Sequence, residues 1–411
     1  MNTSLRNIIL LVIGQVLALT SVITLVTYAA LVSRMLTGST SMATIPAALA
    51  MIAAALTAYK ASMFMKRFGR KRGFQFGALF ALLSGIFTFS GIYIENFYVF
   101  CFGVMVHGIF QSFAAYYRFA AMEVSAPRFK KQAISYVLSG GLFAALISPT
   151  AAKFFETHFF LPIPYAGTFI LVILLSLLTQ LTLLFLHFPP EIDHIEHDEN
   201  GQEIPATQVS WLDILRRPGF LCASLNAAGA YLMMSYVMTS SPIQIVEYCG
   251  FQITDAASVI QWHTAAMFLP AFFTGSLVAR FGAVRIIMIG FVCFMISAAF
   301  AIQGLELINF YGSLVLLGLG WNFLFTAGTA LLESAYKPHE KSQVQGLNDF
   351  VVYSLAATST LTSGFMLETI GWKSMNAMVF GIVGLLLFIT LWYVKVNRKT
   401  VGLTSTQEEP N

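Results

Sequence analysis

Charge is what this chain has least of. Asp, Glu, Lys and Arg make up 10% of its 411 residues, against roughly 25% in a soluble domain. A soluble protein of this length could not cover its surface with so few charges, which excludes an aqueous globular enzyme. Cysteine is scarce as well. Cys101, Cys222, Cys249 and Cys293 are the only four, none forms a C-x-x-C pair, and three lie within apolar runs. They read as small buried hydrophobes rather than as a disulfide framework or a zinc site. No G-x-x-x-x-G-K-[ST] phosphate loop occurs, so ATP-driven transport by this chain is not expected. The net charge of +4 is too small to imply a nucleic-acid partner. What the chain has instead is apolar length: 57% of it is hydrophobic, and Phe alone occurs 38 times. Its partner is the lipid bilayer.

A spanning helix needs about 20 mostly apolar residues. Twelve segments meet this requirement, at roughly 8–31, 42–65, 73–94, 97–122, 132–152, 165–187, 218–240, 256–279, 286–304, 307–332, 345–367 and 374–394. The first follows a single Arg and carries no small-residue cleavage site, so it is expected to be a retained helix rather than a signal peptide. The longest polar stretch, Pro189 to Pro218, divides the spans into two sets of six. The predicted organisation is an N-terminal six-helix bundle over 1–188, a linker over 189–217, a second bundle over 218–395 and a tail over 396–411. The fold class is an all-α integral membrane protein with two pseudo-symmetric halves.

Lys and Arg placement predicts orientation, because basic residues concentrate in cytoplasmic loops. The termini and even-numbered loops hold 18 of the 23 basic residues, among them Arg6, the five within 66–72, Arg128, Lys130, Lys131, Arg216, Arg217, Arg280, Arg285, Lys337 and Lys341. The odd-numbered loops hold three: Arg34, Lys153 and Lys373. Lys60 and Arg118 fall within spans. Both termini and the central linker are therefore expected in the cytoplasm, in the inner membrane of a bacterium.

Two sequence repeats mark an internal duplication. Arg67-Phe68-Gly69 recurs as Arg280-Phe281-Gly282, 213 residues later. Pro127, Lys130 and Gln132 recur at the same spacing as Pro338, Lys341 and Gln343, offset by 211. Both repeats fall in predicted cytoplasmic loops, as a parallel repeat about an axis along the membrane normal requires.

With these residues in place, the chain resembles the major facilitator superfamily. The family's loop between helices 2 and 3 usually reads G-x-L-A-D-R-x-G-R-K-x. Here the register reads Ser62-Met63-Phe64-Met65-Lys66-Arg67-Phe68-Gly69-Arg70-Lys71-Arg72, and the second-half copy reads Gly275-Ser276-Leu277-Val278-Ala279-Arg280-Phe281-Gly282. The family Asp is lost from both copies, replaced by Lys66 and Ala279. The resemblance implies that this Asp would have helped to lock the halves on the cytoplasmic side, so another carboxylate must serve. The stretches Tyr116 to Ala121, Val259 to His263, Gly320 to Phe325, and Gln343, Gly346, Asn348 and Asp349 resemble a bacterial branch with flavin- or siderophore-carrier-like relatives.

Polar residues within spans favour the bundle interior or a water-filled cavity. Helix 1 offers Gln15, and helix 4 offers His107 and Gln111, one turn apart on one face. Helix 7 offers Asn226, Tyr231 and Tyr236. Helix 8 offers Gln261 and His263, helix 10 offers Trp321 and Asn322, and helix 11 offers Asn348, Asp349 and Tyr353. The resemblance implies that helices 1, 4, 7 and 10 line the cavity, which selects Gln15, His107, Gln111, Asn226, Trp321 and Asn322 as candidate substrate contacts. Their alternative role is interhelical hydrogen bonding, worth about 0.6 kcal/mol on average. His107, His263 and Asp349 are candidates for proton coupling, because an unperturbed histidine titrates near neutral pH. The candidate inner gate comprises Lys66, Arg67, Arg70, Arg118, Glu123, Arg280, Glu333 and Asp349, since a rocking carrier needs ion pairs that form in one state and break in the other.

The expected function is secondary active transport of a small organic solute by alternating access, with proton-coupled uptake of a siderophore-, flavin- or metabolite-like substrate. Efflux by proton antiport is the alternative. A membrane-embedded enzyme or receptor is the competing class, and an enzyme would need a dense titratable cluster at one depth. No cofactor and no resident metal are expected. The acidic stretch Asp193 to Glu199, with His194 and His197, reads as a solvated linker. The partners are a small-molecule substrate, protons and lipid, and the chain is expected to act as a monomer.

Overall fold

An apolar run in lipid must satisfy its backbone polar groups internally, and a helix does so within one segment. In the computed structural model, which describes residues 3–38, 42, 45–158, 163–188 and 209–405, the regular elements among the described residues are all helical. The first half comprises α1 (Thr3–Thr37), α2 (Ile45–Phe68), α3 (Arg70–Tyr93), α4 in two pieces (Phe97–Ala114 and Tyr117–Glu123), α5 (Lys130–His158) and α6 (Ala166–Leu184). The second half comprises α7 (Pro218–Ile243), α8 in two pieces (Ile253–Phe268 and Ala271–Phe281), α9 (Ala283–Gln303) and α10 (Leu307–Leu332).

A last helical stretch, Lys341–Ser405, runs for 65 residues. At 1.5 Å per residue it would reach about 100 Å, some three times the hydrocarbon thickness of a bilayer. Gly371, at φ 76° and ψ 166°, interrupts it and turns the chain back. It is therefore two spans, α11 (341–370) and α12 (372–405), and the predicted twelve are complete. Exposed Phe388 and Leu385 on α12 are the kind of side chain that faces lipid.

The duplication is visible in the backbone. Gly69 sits at φ 84° and ψ 156° between α2 and α3, and Gly282 at φ 85° and ψ 151° between α8 and α9. This region of conformational space is essentially open to glycine alone. The second repeat matches as well. Pro127–Phe129 and Pro338–Glu340 each form one 3-10 turn, immediately before α5 and before α11. Gly69, Gly282 and these two turns mark the end of the bundle that carries the basic loops, called the basic end below.

Two helices predicted as continuous are broken. α4 turns at Ala115–Tyr116, and the Tyr116 hydroxyl donates to the Ala58 carbonyl of α2 at 3.2 Å. α8 breaks at Leu269–Pro270, where proline supplies no N–H. The Asn322 amide of α10 braces that break, donating to the Met267 carbonyl at 2.7 Å and accepting from the Thr274 hydroxyl at 2.7 Å.

The halves meet along α2 with α11 and α5 with α8. At Gly346 of α11 a side chain would crowd Tyr59 and Ser62 of α2, and at Gly141 of α5 it would meet the Phe268 ring at 2.3 Å. These glycines permit the close approach.

Candidate functional site

At the basic end, opposite charges from the two halves are brought together. Glu123 closes α4 and Glu333 follows α10; Lys130 opens α5 and Lys341 opens α11. The pairs cross over. Glu123 meets Lys341 at 3.0 Å, and Glu333 meets Lys130 at 2.7 Å. The duplication that places Lys130 and Lys341 in equivalent loops thus yields two reciprocal bridges, each joining one half to the other. Ser62 of α2 adds a hydrogen bond to the Ser342 carbonyl at 2.7 Å.

Arg70, at the start of α3, is 8% exposed and ties this layer together. Its Nη2 donates to Glu123 Oε1 at 2.6 Å and to Gln345 Oε1 of α11 at 2.8 Å. The end of the linker is held too. Both the N–H and the carbonyl of Val209 pair with the Gln343 amide, and Trp211 packs on Tyr59 with ring centroids 4.7 Å apart. Arg217 bonds Glu340 through both terminal nitrogens, at 2.6 and 2.7 Å, and this hydrogen bonding raises the guanidinium pKa further above its ordinary value.

Deeper in the bundle lies a buried cross-half pair. Arg118 Nη2, on the second piece of α4, donates to Asp349 Oδ1 of α11 at 2.5 Å. The Asn348 amide donates to the same oxygen at 2.8 Å. The guanidinium also packs against the rings of Phe119 and Phe325, 4.6 Å from each centroid. The break in α4 sets Arg118 on a separate helical piece that is aimed at the second half. Arg118 Nε and Asp349 Oδ2 have no hydrogen-bond partner.

Beside this pair an aromatic cluster is built almost entirely by the second half. Trp321 and Phe325, one turn apart on α10, stack with centroids 5.1 Å apart and planes inclined by 18°. Tyr231 of α7 stands edge-on to both, at 5.4 and 5.1 Å, and Phe268 of α8 is edge-on to Trp321 at 5.7 Å. Tyr353, one turn beyond Asp349, lies 6.4 Å from Tyr231.

The residues singled out from the sequence divide into three groups. Arg70, Arg118, Glu123, Glu333 and Asp349 are gathered as ion pairs. Lys66, Arg67 and Arg280 are exposed and have no ion pair among the described residues; Arg67 and Arg280 instead lie over the neighbouring Phe68 and Phe281 rings, each at 5.3 Å.

Among the cavity candidates, the Asn226 amide is committed to the Cys222 carbonyl at 2.8 Å and the Thr390 hydroxyl of α12 at 3.0 Å. Asn322 is committed to the α8 break. Both do the work of helix packing, the alternative that the sequence left open. His263 is buried, with Nδ1 on the Leu314 carbonyl at 2.7 Å. His107 is fully buried with neither ring nitrogen partnered, Gln111 is 9% exposed, and Gln15 is half-buried near Gly140 of α5. Trp321 is buried with its indole nitrogen unpartnered.

Lys130, Lys341 and Gln345 were not among the predicted gate residues. The repeated Pro-x-x-Lys-x-Gln loops carried the signal for the two lysines. The acidic stretch 193–199 lies outside the described residues, and among the described residues no group of His, Cys, Asp and Glu could hold a metal.

The model of the Major Facilitator Superfamily matches residues 10–260 and 223–411. The riboflavin transporter RfnT of Brucella anthropi is 35% identical over 383 residues, covering 93% of this chain and 94% of that protein. An uncharacterized MFS-type transporter of Bacillus subtilis, YdeG, is 23% identical and covers 94% and 91%. Among solved structures, the human organic anion transporter MFSD10 superposes with a TM-score of 0.76 at 12% identity, covering 95% of this chain and 100% of that one. A bacterial homologue of the iron transporter ferroportin, in an outward-facing state, superposes with a TM-score of 0.73 at 13% identity, covering 96% and 100%. At these identities the two structures speak for the fold alone.

Proposed function

The chain belongs to the major facilitator superfamily of membrane transporters, and from that premise we propose that it carries a flavin-like solute across the inner membrane by alternating access. The observation that carries the substrate class is the 35% identity, over nearly the whole of both chains, to a riboflavin transporter. The unit boundaries proposed are those read from the sequence, with the basic end and both termini in the cytoplasm.

The basic end is the inner gate. The reciprocal Glu123–Lys341 and Glu333–Lys130 bridges and the buried Arg118–Asp349 pair join the halves there, so the arrangement corresponds to a carrier closed towards the cytoplasm. Rocking the halves to open that side must separate these pairs. Each pair forms in one state and breaks in the other, which is what biases a two-state carrier.

Gln15, His107 and Gln111 face the solute from the first half, and Trp321 faces it from the second. Asn226 and Asn322 hold helices together. Uptake is driven by protons, with His107 and Asp349 as the exchanging groups. Both are buried and both retain a polar atom without a partner. His263 is a third candidate, with Nδ1 on the Leu314 carbonyl and Nε2 without a partner.

Reconstitution in liposomes tests the reading. Riboflavin is expected to accumulate when an inward proton gradient is imposed, and excess internal riboflavin is expected to accelerate its entry by counterflow. No saturable riboflavin flux in either direction would overturn the substrate assignment. Accumulation that survives collapse of the proton gradient would overturn proton coupling while leaving the carrier in place.

A further inference from the structure

Two buried tryptophans in the second half have opposite fates. Trp372 donates its indole N–H to the Ala301 carbonyl at 3.0 Å, as a buried tryptophan ordinarily does. Trp321 is equally buried and its Nε1 has no partner. Arg118 Nε and Asp349 Oδ2, in the same cluster, are unpartnered as well. Buried atoms without a partner occur elsewhere among the described residues, but these three gather around one group of rings, and each carries a desolvation cost that a ligand would offset. Packing alone does not explain them, since an apolar core of the same shape would avoid the desolvation penalty of each atom.

The rings supply the other half of the argument. Trp321, Phe325 and Phe268 form a buried backing, while Tyr231 and Tyr353 in front of them are only partly buried. The charges beside the rings cancel, Arg118 against Asp349. A charged ring placed here would leave one ion uncompensated in a low dielectric, which is strongly unfavourable.

We propose that this cluster is the ring subsite of the carrier, taking a neutral planar heteroaromatic ring against Tyr231 and Tyr353. A ring carbonyl or pyridine-type nitrogen accepts from Trp321 Nε1, and the polar edge of the ring faces Arg118 and Asp349. The inference rests on the flavin-like reading above and assigns the part of the solute that is recognised. It also ties recognition to the gate, because Arg118 belongs to the first half and every other member to the second. A ring seated here touches both halves only while they are closed together at the basic end.

The test uses the full-length protein in lipid nanodiscs with three probes: riboflavin, the bare ring system lumichrome, and ribitol. Trp321→Phe removes the N–H and keeps an aromatic ring; Tyr231→Leu removes a ring face and leaves Trp321 intact. Each is expected to weaken riboflavin and lumichrome in parallel, Trp321→Phe by about tenfold for the lost hydrogen bond and Tyr231→Leu through the lost ring face. The unliganded variants should melt somewhat lower, because each loses ring contacts, but should stay folded, and ribitol should not compete. If Trp321→Phe does not fold, Tyr231→Leu decides. Wild-type affinity for both ring probes in a folded variant overturns the subsite and leaves the flavin reading standing. Competition by ribitol without binding of lumichrome does the same. Failure of the wild-type protein to bind either ring compound overturns the flavin reading and the subsite with it.

Discussion

The two Arg-Phe-Gly turns share a backbone and differ in what surrounds it. Gly69 and Gly282 adopt nearly the same strained conformation, so each turn ends one helix and starts the next in the same way. Yet the first turn leads directly into Arg70, which is buried between Glu123 and Gln345, whereas the second leads into Ala283 and leaves Arg280 exposed over Phe281. The duplication supplied two equivalent turns, and only the first was built into the contact between halves. Backbone geometry is retained in both because it connects the spans. The charge network, by contrast, is present at the first turn alone among the two.

The largest way to break this comparison is Arg70→Ala set beside Arg280→Ala. Removing Arg70 takes the largest source of compensation from the buried Glu123, and breaking a buried pair costs about 3–5 kcal/mol. Removing the exposed Arg280 should fall within about 0.5 kcal/mol of wild type. Denaturant unfolding of the purified protein in detergent reads both, and equal losses would remove the distinction between the turns.

A second experiment asks what the turns share. Gly69→Ala and Gly282→Ala should each cost about 1–3 kcal/mol, because both force a side chain into glycine-only backbone space. A large loss at one turn and none at the other would mean that the backbone similarity has no energetic content.

Asn322→Ala is expected to cost less, up to about 1.7 kcal/mol, the upper range for a hydrogen bond between membrane helices. It should lower the melting temperature and leave riboflavin affinity within twofold, about 0.4 kcal/mol. A selective loss of affinity would move Asn322 from the α8 break into the cavity wall.

The smallest effect belongs to Lys130–Glu333, whose side chains are 38% and 26% exposed. Solvent screening should hold its coupling to about 0–1 kcal/mol in a double-mutant cycle. The coupling of Glu123 with Lys341 should be larger, because Glu123 is only 7% exposed. Equal couplings would imply that the reciprocal bridges are alike in energy as well as in geometry.

Much of this architecture could be read in the chain. Twelve apolar runs and the two repeats follow from periodicity and spacing, which are local properties. The boundary between α11 and α12 was legible as the gap between the runs 345–367 and 374–394, and Gly371 lies within that gap. The site was legible only in part. Glu123, Glu333 and Asp349 could be chosen as carboxylates near the right end, and Arg118 as a charge within a span. Which cation each would meet depends on how two halves some 210 residues apart are docked, and no local pattern encodes that. Asn226 and Asn322 show the same limit. A polar residue within a span has the same sequence signature whether it faces the solute, Thr390 on α12 or the break in α8. The aromatic cluster was legible in part: Trp321, Tyr231 and Tyr353 stood out as polar-tipped residues within spans, whereas Phe268 and Phe325 carry no contrast in a chain with 38 Phe.

The buried pair of Arg118 and Asp349 also has an electrical consequence. Moving one elementary charge across the membrane is worth about 2.3 kcal/mol per 100 mV. The two charges lie at the same depth, 2.5 Å apart. While the pair is intact their contributions cancel, and the resting potential gains almost no purchase on it. An opening of the basic end that separates Arg118 from Asp349 would let the field act on each charge by itself.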